Sequence, residues 1–134
     1  MRHVLSLTTY DDSAAGLVKR GHARFKEYDY ERAITLYTHA LAITPDDAMC
    51  YVFRARARRF NSDWRGAIAD YSHALQIEPT LAFVYYERAD VRKKMFDLRL
   101  AIADYEEFLR ACNGLCEEER AEVEQIIRDL RNEG

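Results

Sequence analysis

The chain has 134 residues, 49% of them hydrophobic and 32% charged, which is the balance of an ordinary globular domain. A formal net charge of −3 gives no overall basic character and argues against a nucleic-acid partner. Five glycines and two prolines favour helices over a turn-rich all-β fold. No apolar run is long enough to cross a bilayer, and residues 1–12 lack a signal-peptide core. We therefore expect a cytoplasmic protein without a membrane partner.

The chain carries none of the common catalytic or metal-binding patterns. It has no Gly-rich phosphate loop and no His-Glu-x-x-His sequence. Its three cysteines are an odd number, and Cys50 is far along the chain from Cys112 and Cys116, so they do not indicate a disulfide framework. No Cys-x-x-Cys or clustered His accompanies them, and His39 and His73 are expected to be solvated surface residues. We expect no metal, no cofactor and no enzymatic activity.

The N-terminal segment, residues 1–13, is expected to be partly disordered, with Ser13 as the candidate cap of the first helix. It could also lie in a groove of its own chain or of a neighbour. From there on, the sequence repeats itself. Residues 33–41 return at 67–75 and again at 101–109, each copy 34 residues after the last. Self-similarity at this period is typical of a helical repeat array.

The repeat predicts three units of two helices each, at 14–47, 48–81 and 82–115. In the second unit, residues 51–60 contain no Gly or Pro, and Asp63 is placed to cap the next helix. That helix has an apolar stripe at helical spacing, formed by Ala67, Ile68, Tyr71, Ala74 and Leu75. Pro45 and Pro79 end the first two units, whereas residues 113–114, Asn-Gly, end the third.

Residues 116–134 predict one more helix, with one apolar and one charged face. Val123, Ile126, Ile127 and Leu130 form the apolar stripe. Such a helix covers the open end of a stack, because no further repeat packs there.

Several columns of these units resemble the tetratricopeptide repeat (TPR) family. The small residues of its pattern are matched by Gly21, Ala55 and Ala89, by Ala33, Ala67 and Ala101, and by Ala40 and Ala74. The aromatics are matched by Tyr51 and Tyr85, with Leu17 in the first unit, and by Tyr37, Tyr71 and Tyr105. Phe108 and Asn113 depart from the pattern. The resemblance implies an all-α, right-handed superhelical stack of three helix-turn-helix units with a C-terminal capping helix.

Two arginine columns stand where the family pattern usually has Leu and Tyr. They comprise Arg20, Arg54 and Arg88, and, four residues later in each unit, Arg24, Arg58 and Arg92. Half-buried arginines must be paired, so we expect a structural ion ladder along the stack, with Asp70, Asp104 and the turn aspartates as partners. The alternative is a functional row that binds anions.

The family resemblance implies a protein-interaction module, an adaptor or scaffold, that binds a partner on the concave side formed by the first helices. The residues expected to line this groove are Val18, His22, Phe25, Lys26, Met49, Val52, Phe53, Arg56, Arg59, Phe60, Tyr86, Asp90, Lys93 and Lys94. Aromatic residues beside cations suit a peptide with apolar anchors and acidic neighbours. Replacement of both Arg56 and Arg59 by Glu is expected to abolish partner capture without unfolding the chain.

Two other functions remain as hypotheses. The basic run of Arg54, Arg56, Arg58 and Arg59 beside aromatic residues suits single-stranded RNA, although nucleic acid is the less favoured partner. The chain could also form a homo-oligomer, through the end of the stack or the N-terminal segment.

Some members of the family hold the carboxylate tails of heat-shock chaperones with a clamp of Lys, Asn and Arg. The matching positions here are Val18, His22, Phe53, Phe83 and Glu87. None has the clamp residue, and Glu87 has the opposite charge. We therefore expect no binding of chaperone C-terminal tails by this mechanism.

Overall fold

A computed structural model describes residues 11–115 and 117–134 as helices joined by short connections, without a strand. The helices are α1 (Ala14–Lys26), α2 (Tyr30–Ile43), α3 (Ala48–Phe60), α4 (Trp64–Ile77), α5 (Ala82–Lys94), α6 (Leu98–Ala111) and α7 (Glu117–Glu133). The prediction of an all-α stack of three helix pairs and a last helix is confirmed. Residues 1–10, most of the N-terminal segment expected to be partly disordered, and Cys116 lie outside the described residues.

Polar side chains cap the beginnings of most helices. The Ser13 hydroxyl accepts a hydrogen bond from the Gly16 amide at 3.1 Å, and Asp63 accepts one from the Gly66 amide at 3.0 Å. Asp29 and Asp47 cap α2 and α3 in the same way. These bonds satisfy amides that have no partner within the helix, so they fix where each helix begins.

The turn between the two helices of each unit contains one residue with left-handed backbone. Tyr28, Ser62 and Phe96 have φ values of 62°, 62° and 59°. The turn closes on a backbone hydrogen bond that spans five residues, such as the one from the Asp29 amide to the Arg24 carbonyl at 2.9 Å. This closure reverses the direction of the chain within a few residues, so the second helix runs back alongside the first.

Cross-helix contacts fix how the helices run. In the second unit, Tyr51 stacks on His73 at 4.2 Å and Arg54 binds Asp70, so α3 and α4 are antiparallel. Between units, Arg56 binds Glu87 and Arg59 binds Asp90, both 31 residues apart, so α3 and α5 point the same way. The first helices α1, α3 and α5, with α7, therefore form an inner layer, and the second helices form an outer layer.

Small and aromatic residues fill the space between the layers. Tyr37, Tyr71 and Tyr105 are fully buried, and the alanines Ala33, Ala67 and Ala101 beside them have no exposed surface. Alanine lets the helix axes approach, and the tyrosine ring fills the space next to it. The last helix closes the stack because Val123, Ile127 and Leu130 pack in one cluster with Tyr105 and Ala101.

Candidate functional site

Asp70 is the centre of a nearly buried ion cluster between α3 and α4. Its side chain is 4% exposed and accepts two hydrogen bonds from Arg54, at 2.8 and 2.9 Å, and one from Arg58 at 2.9 Å. A further bond joins Arg54 to the Thr38 hydroxyl of the preceding unit. The bond to Asp70 raises the pKa of Arg54. Buried carboxylates need such partners, so this cluster holds the helix pair together.

The third unit repeats the cluster, but the first does not. Asp104 binds Arg88 at 2.7 Å and Arg92 at 2.8 Å, and Arg88 reaches Ser72 of the preceding unit. In the first unit Leu36 occupies the place of the aspartate. There, Arg20 binds Asp12 at 3.2 Å and Arg24 binds Glu27 at 3.0 Å. In the second and third units the arginines thus bind the predicted partners Asp70 and Asp104, and each cluster has a hydrogen bond to the unit before.

On the inner layer, Arg56 and Glu87 form a bidentate ion pair between α3 and α5. The two hydrogen bonds measure 2.7 and 2.9 Å, and the Tyr71 hydroxyl donates a third to Glu87 at 2.9 Å. The guanidinium group also lies 5.6 Å from the centre of the Phe83 ring. The bond to Glu87 raises the pKa of Arg56, and burial raises the pKa of Tyr71. Arg56 is therefore neutralised within the chain.

Arg59 has a matching acidic partner one helical turn further on. It lies 3.5 Å from Asp90, which also accepts a hydrogen bond from the buried hydroxyl of Tyr105. Burial, followed by this bond, raises the pKa of Tyr105. Every arginine of the predicted basic run is thus bound to a carboxylate, of Asp70, Glu87 or Asp90. The inner layer is aromatic, as expected, but its arginines do not form a free basic surface.

A small pocket lies between α1 and α3. It has a volume of about 140 Å³ and is lined by His22, Phe25, Tyr37, Phe53 and Arg56. His22 is central: Phe53 meets its ring edge-on at 4.5 Å, and the Tyr37 hydroxyl lies 2.7 Å from its Nδ1. Burial lowers the pKa of His22, and the charges of Lys26 and Arg56 lower it further. The imidazole of the first pocket thus has a lowered pKa, and the exposed Lys26 contributes a positive charge near it, whereas Arg56 is paired with Glu87.

A second, larger pocket lies where α5, α6 and α7 meet. It has a volume of about 280 Å³ and is lined by Phe83, Tyr86, Glu87, Phe108, Leu115, Glu119, Glu122 and Val123. The Phe108 ring lies edge-on to Tyr86 at 5.2 Å, so the residue that departs from the repeat pattern forms a wall of this pocket. Burial raises the pKa of Tyr86, and the charges of Asp90 and Glu122 raise it further. The second pocket therefore has negatively charged surroundings.

The other predicted groove residues differ in accessibility. Val52 has no exposed surface, so its assignment to the groove was wrong. It belongs to the middle unit, where α3 packs against helices on both sides. Val18 and Met49 are half-buried against the core. Lys26, Phe60 and Lys94 are exposed, and Lys93 is half-buried. The signals that sequence reasoning missed are Glu87 as the partner of Arg56, and the contribution of α7 to a pocket.

The described residues were compared with what a metal site and a membrane-spanning helix require. Within residues 11–115 and 117–134, no three His, Cys, Asp or Glu side chains are grouped as metal ligands would be. None of the helices in these ranges has the length and apolar character needed to cross a membrane. Of the cysteines in this part of the chain, Cys50 is buried, which raises the pKa of its thiol to about 12, and Cys112 is half-buried.

These features define a TPR stack: paired antiparallel helices repeated every 34 residues, small and aromatic packing columns, and a last solvated helix. The comparison with solved structures agrees, and the chain is a TPR protein by fold. The Sgt2 TPR domain from Aspergillus fumigatus superimposes with a TM-score of 0.78 and 27% identity, over 90% of this chain and 82% of that one.

Two similar domains were solved with bound peptides. The second TPR domain of human RPAP3, in complex with the HSP70 peptide SGPTIEEVD, has a TM-score of 0.74 and 27% identity over 84% of this chain and 93% of that one. The second TPR domain of Spaghetti (RPAP3), bound to the HSP90 peptide SRMEEVD, has a TM-score of 0.71 and 28% identity over 75% of this chain and 93% of that one. No protein-family model matches the chain, and no curated protein does.

Proposed function

We propose that this protein is an interaction module that holds an extended segment of a partner protein along its inner layer. The observation that carries the proposal is the pair of aromatic-walled pockets, one between α1 and α3 and one between α5 and α7. The Arg56–Glu87 ion pair links them, since Arg56 lines the first pocket and Glu87 the second. Aromatic pockets with a few polar groups are well suited to apolar anchor residues.

The surroundings of the two pockets favour one direction for the bound segment. The exposed Lys26 lies near the first pocket, whereas Glu122 lines the second; Arg56 and Asp90 are already paired, with Glu87 and Arg59. We expect acidic residues beside the anchor in the first pocket and a basic residue beside the anchor in the second. Complementary charges of this kind set orientation and association rate more than affinity. The sequence-based expectation named acidic neighbours only, and the proposal adds a basic neighbour at the second pocket.

The clamp for chaperone tails has no counterpart in this proposal. Solved TPR domains with 27% and 28% identity hold peptides ending in EEVD. Here Glu87, at one of the matching positions, is engaged by Arg56 and Tyr71, and Phe53, at another, packs on His22. A carboxylate tail brought to Glu87 would meet a negative charge. We therefore expect no binding of such tails through their terminal carboxylate.

RNA remains the weaker alternative. Each arginine of the run from Arg54 to Arg59 would have to leave a carboxylate before it could bind a phosphate. Phosphate contacts supply most of the affinity in nucleic-acid binding, and breaking ion pairs opposes them. No specific observation favours this function.

A peptide-display selection tests the proposal. Random peptides are selected on the protein, and those that bind are titrated in solution against the wild type and two variants. Tyr86→Ala alters the second pocket, whereas Gln76→Ala changes an exposed residue of α4 in the outer layer. We expect Tyr86→Ala to weaken binding at least about tenfold, the loss of one buried anchor contact, and Gln76→Ala to bind as the wild type does.

Two further arms make the result decisive. SRMEEVD and SGPTIEEVD are titrated with free and with amidated C-termini, and no binding that depends on the free carboxylate is expected. Selected peptides that bind Tyr86→Ala as tightly as the wild type would overturn the proposed site. Salt-sensitive binding of single-stranded RNA, without any selected peptide, would favour the alternative.

A further inference from the structure

The two edges of the stack differ in charge and in apolar side chains. Because the helices of each unit are antiparallel, the turns within units lie at one edge and the loops between units at the other. The turn edge comprises residues 24–32, 58–66 and 92–100. The loop edge comprises residues 11–13, 43–47, 77–81 and 112–119, Cys116 excepted.

Each turn of the turn edge carries one exposed aromatic residue. Tyr28 is 80% exposed, Phe60 55% and Phe96 84%. Tyr28 and Phe96 also stand at the left-handed positions, where a bulky side chain is unfavourable and the second unit has Ser62. An aromatic side chain is unfavourable at this backbone conformation, and neither ring is buried in the core. Exposed residues that are unfavourable for the local backbone conformation are candidates for a contact surface.

The same three segments of the chain also contain cations. Lys26, Arg65, Lys94 and Arg99 lie in the three turns, and none of them forms an ion pair within the described residues. Most acids of the same edge are engaged: Asp29 and Asp63 cap helices, and Glu27 binds Arg24. The turn edge therefore carries exposed aromatic rings and four cations without an ion pair in the described residues, against two further exposed acids, Glu31 and Asp97.

The loop edge presents the opposite character. Its segments contain no Lys or Arg. Asp46, Glu78, Glu117 and Glu118 are exposed and form no ion pair within the part of the chain that the structure describes. Between them lie exposed apolar surfaces, with Ile43 54% exposed and Pro45 and Pro79 also exposed.

We propose that the turn edge of one copy docks on the loop edge of a second copy, so that the protein associates head to tail. The rings of Tyr28 and Phe96 would pack on Ile43 and the two prolines, and Lys94 and its neighbours would meet the exposed acids. Both edges carry exposed apolar side chains in more than one unit, so the contact is spread along the stack. The inner layer is not part of this contact, so the inference does not depend on the proposed peptide site.

This geometry has a defined consequence for assembly. Different surfaces of the two copies meet, and each copy keeps one unused edge. Such a contact continues into an open chain unless its rotation closes a ring. Charge complementarity makes it stronger at low salt, because exposed charges are screened as ionic strength rises. A symmetric contact between two turn edges would instead bring like charges together.

Variants that each disable one edge test the proposal. Tyr28→Ser with Phe96→Ser removes the rings of the turn edge and introduces the residue that the second unit has at this position. Asp46→Lys with Glu78→Lys reverses charge on the loop edge. Sedimentation is measured for the wild type, for each variant and for an equal mixture of the two, from micromolar to millimolar concentration at low and high salt.

The wild type is expected to gain mass with concentration beyond a dimer, and less so at high salt. Each variant alone is expected to remain a monomer. The mixture is expected to reach twice the monomer mass and no more, because one intact edge of each kind remains. Tyr86→Ala, an inner-layer control, should associate as the wild type does.

Four outcomes would overturn the inference: a wild type that stays monomeric, either variant assembling like the wild type, a loop-edge variant that dimerises alone, or a mixture that stays monomeric. Melting temperatures check that the variants are folded. If the serine variant melts early, Tyr28→Gly with Phe96→Gly takes its place, because glycine adopts a positive φ without strain.

Discussion

Arg56 and Glu87 form a bidentate ion pair that joins the first helices of two consecutive units, with Nη2 2.7 Å from Oε2 and Nε 2.9 Å from Oε1. The Tyr71 hydroxyl completes the site from the outer layer. Arg56 and Glu87 side chains are 34% and 18% exposed, so the pair is partly removed from water. The sequence predicted a basic groove here, but in the structure the charge of Arg56 is neutralised by Glu87.

The pair should be energetically coupled. Arg56→Met and Glu87→Gln are each expected to lower the free energy of unfolding, and the double variant to lower it by less than the sum. We expect a coupling of about 1–2 kcal/mol, which is reasonable for a half-buried charge pair in direct contact. Urea unfolding of the four proteins measures it. Additive losses would mean that Arg56 and Glu87 do not interact in solution.

The double reversal Arg56→Glu with Arg59→Glu is expected to destabilise the chain, and not merely to abolish binding. It would place carboxylates against Glu87 and Asp90, each of which also accepts a tyrosine hydroxyl hydrogen bond. Like charges in such a partly buried position cost several kcal/mol, so we expect a loss of about 3 kcal/mol or more. A melting curve close to that of the wild type would contradict this. Charge reversal here is thus a poor probe of partner binding.

Asp70 should matter more to stability than an exposed aspartate. Asp70→Asn leaves Arg54 and Arg58 without their carboxylate, and these arginines are only 15% and 25% exposed. We expect a loss of about 3 kcal/mol in the free energy of unfolding, the lower end for a broken buried pair. Asp46→Asn, an exposed control, should change it by no more than about 0.5 kcal/mol. Equal effects of the two variants would show that the cluster does not stabilise the fold.

The features that recur in every unit could be predicted from the sequence, because the packing contacts within a unit recur every 34 residues. The alanines beside Tyr37, Tyr71 and Tyr105 recur because each unit uses them in the same way. Contacts between neighbouring units also recur in position, as in Arg54 with Thr38 and Arg88 with Ser72, but the residue types at a position can differ. Arg56 and Glu87 stand in the columns that hold His22 and Phe53 one unit earlier, so comparison of columns cannot find the ion pair.

Position along the stack was equally hard to predict. Val18 and Val52 belong to one column, yet Val18 is half-buried in the end unit and Val52 is fully buried in the middle unit. A repeat pattern gives both residues the same environment, whereas burial depends on how many neighbouring units cover them. The second pocket was missed for the same reason, since it exists only where α7 replaces a further unit.

His22 should make stability depend on pH. Burial lowers its pKa below the ordinary value of 6.5, so the folded chain holds it neutral while the unfolded chain already binds a proton near pH 6. The unfolded state therefore binds more protons in this window, and the free energy of unfolding falls as the pH drops from 6.5 towards the folded pKa. The groups that face His22 are Tyr37, Lys26 and Arg56.

The variant His22→Gln isolates this contribution. Unfolding is measured between pH 7.5 and pH 5.5, about one unit either side of the ordinary histidine value. The wild type should lose more stability over this range than the variant does, and the NMR titration of His22 should have a midpoint below 6.5. Parallel pH profiles would mean that folding leaves the pKa of His22 unchanged, and a midpoint above 6.5 would mean that the fold raises it. Peptide binding at the first pocket should then be examined at both ends of the range.

Substitution of Gly21 by alanine tests how closely the inner and outer layers approach in the first unit. Units two and three have Ala55 and Ala89 in its column, but a Cβ on Gly21 would lie 2.5 Å from Cε1 of the buried Tyr37 ring. Alanine gains about 1 kcal/mol over glycine in a helix, whereas overpacking costs about 1–3 kcal/mol. The ring is buried and close to His22, so it cannot move away easily, and we expect Gly21→Ala to be destabilising by about 1 kcal/mol.

In a Tyr37→Leu background, where the ring is gone, the same substitution should stabilise. Chemical denaturation of the four proteins measures both signs, and a stabilising Gly21→Ala in the wild-type background would mean that the first helix pair is less tightly packed than its neighbours.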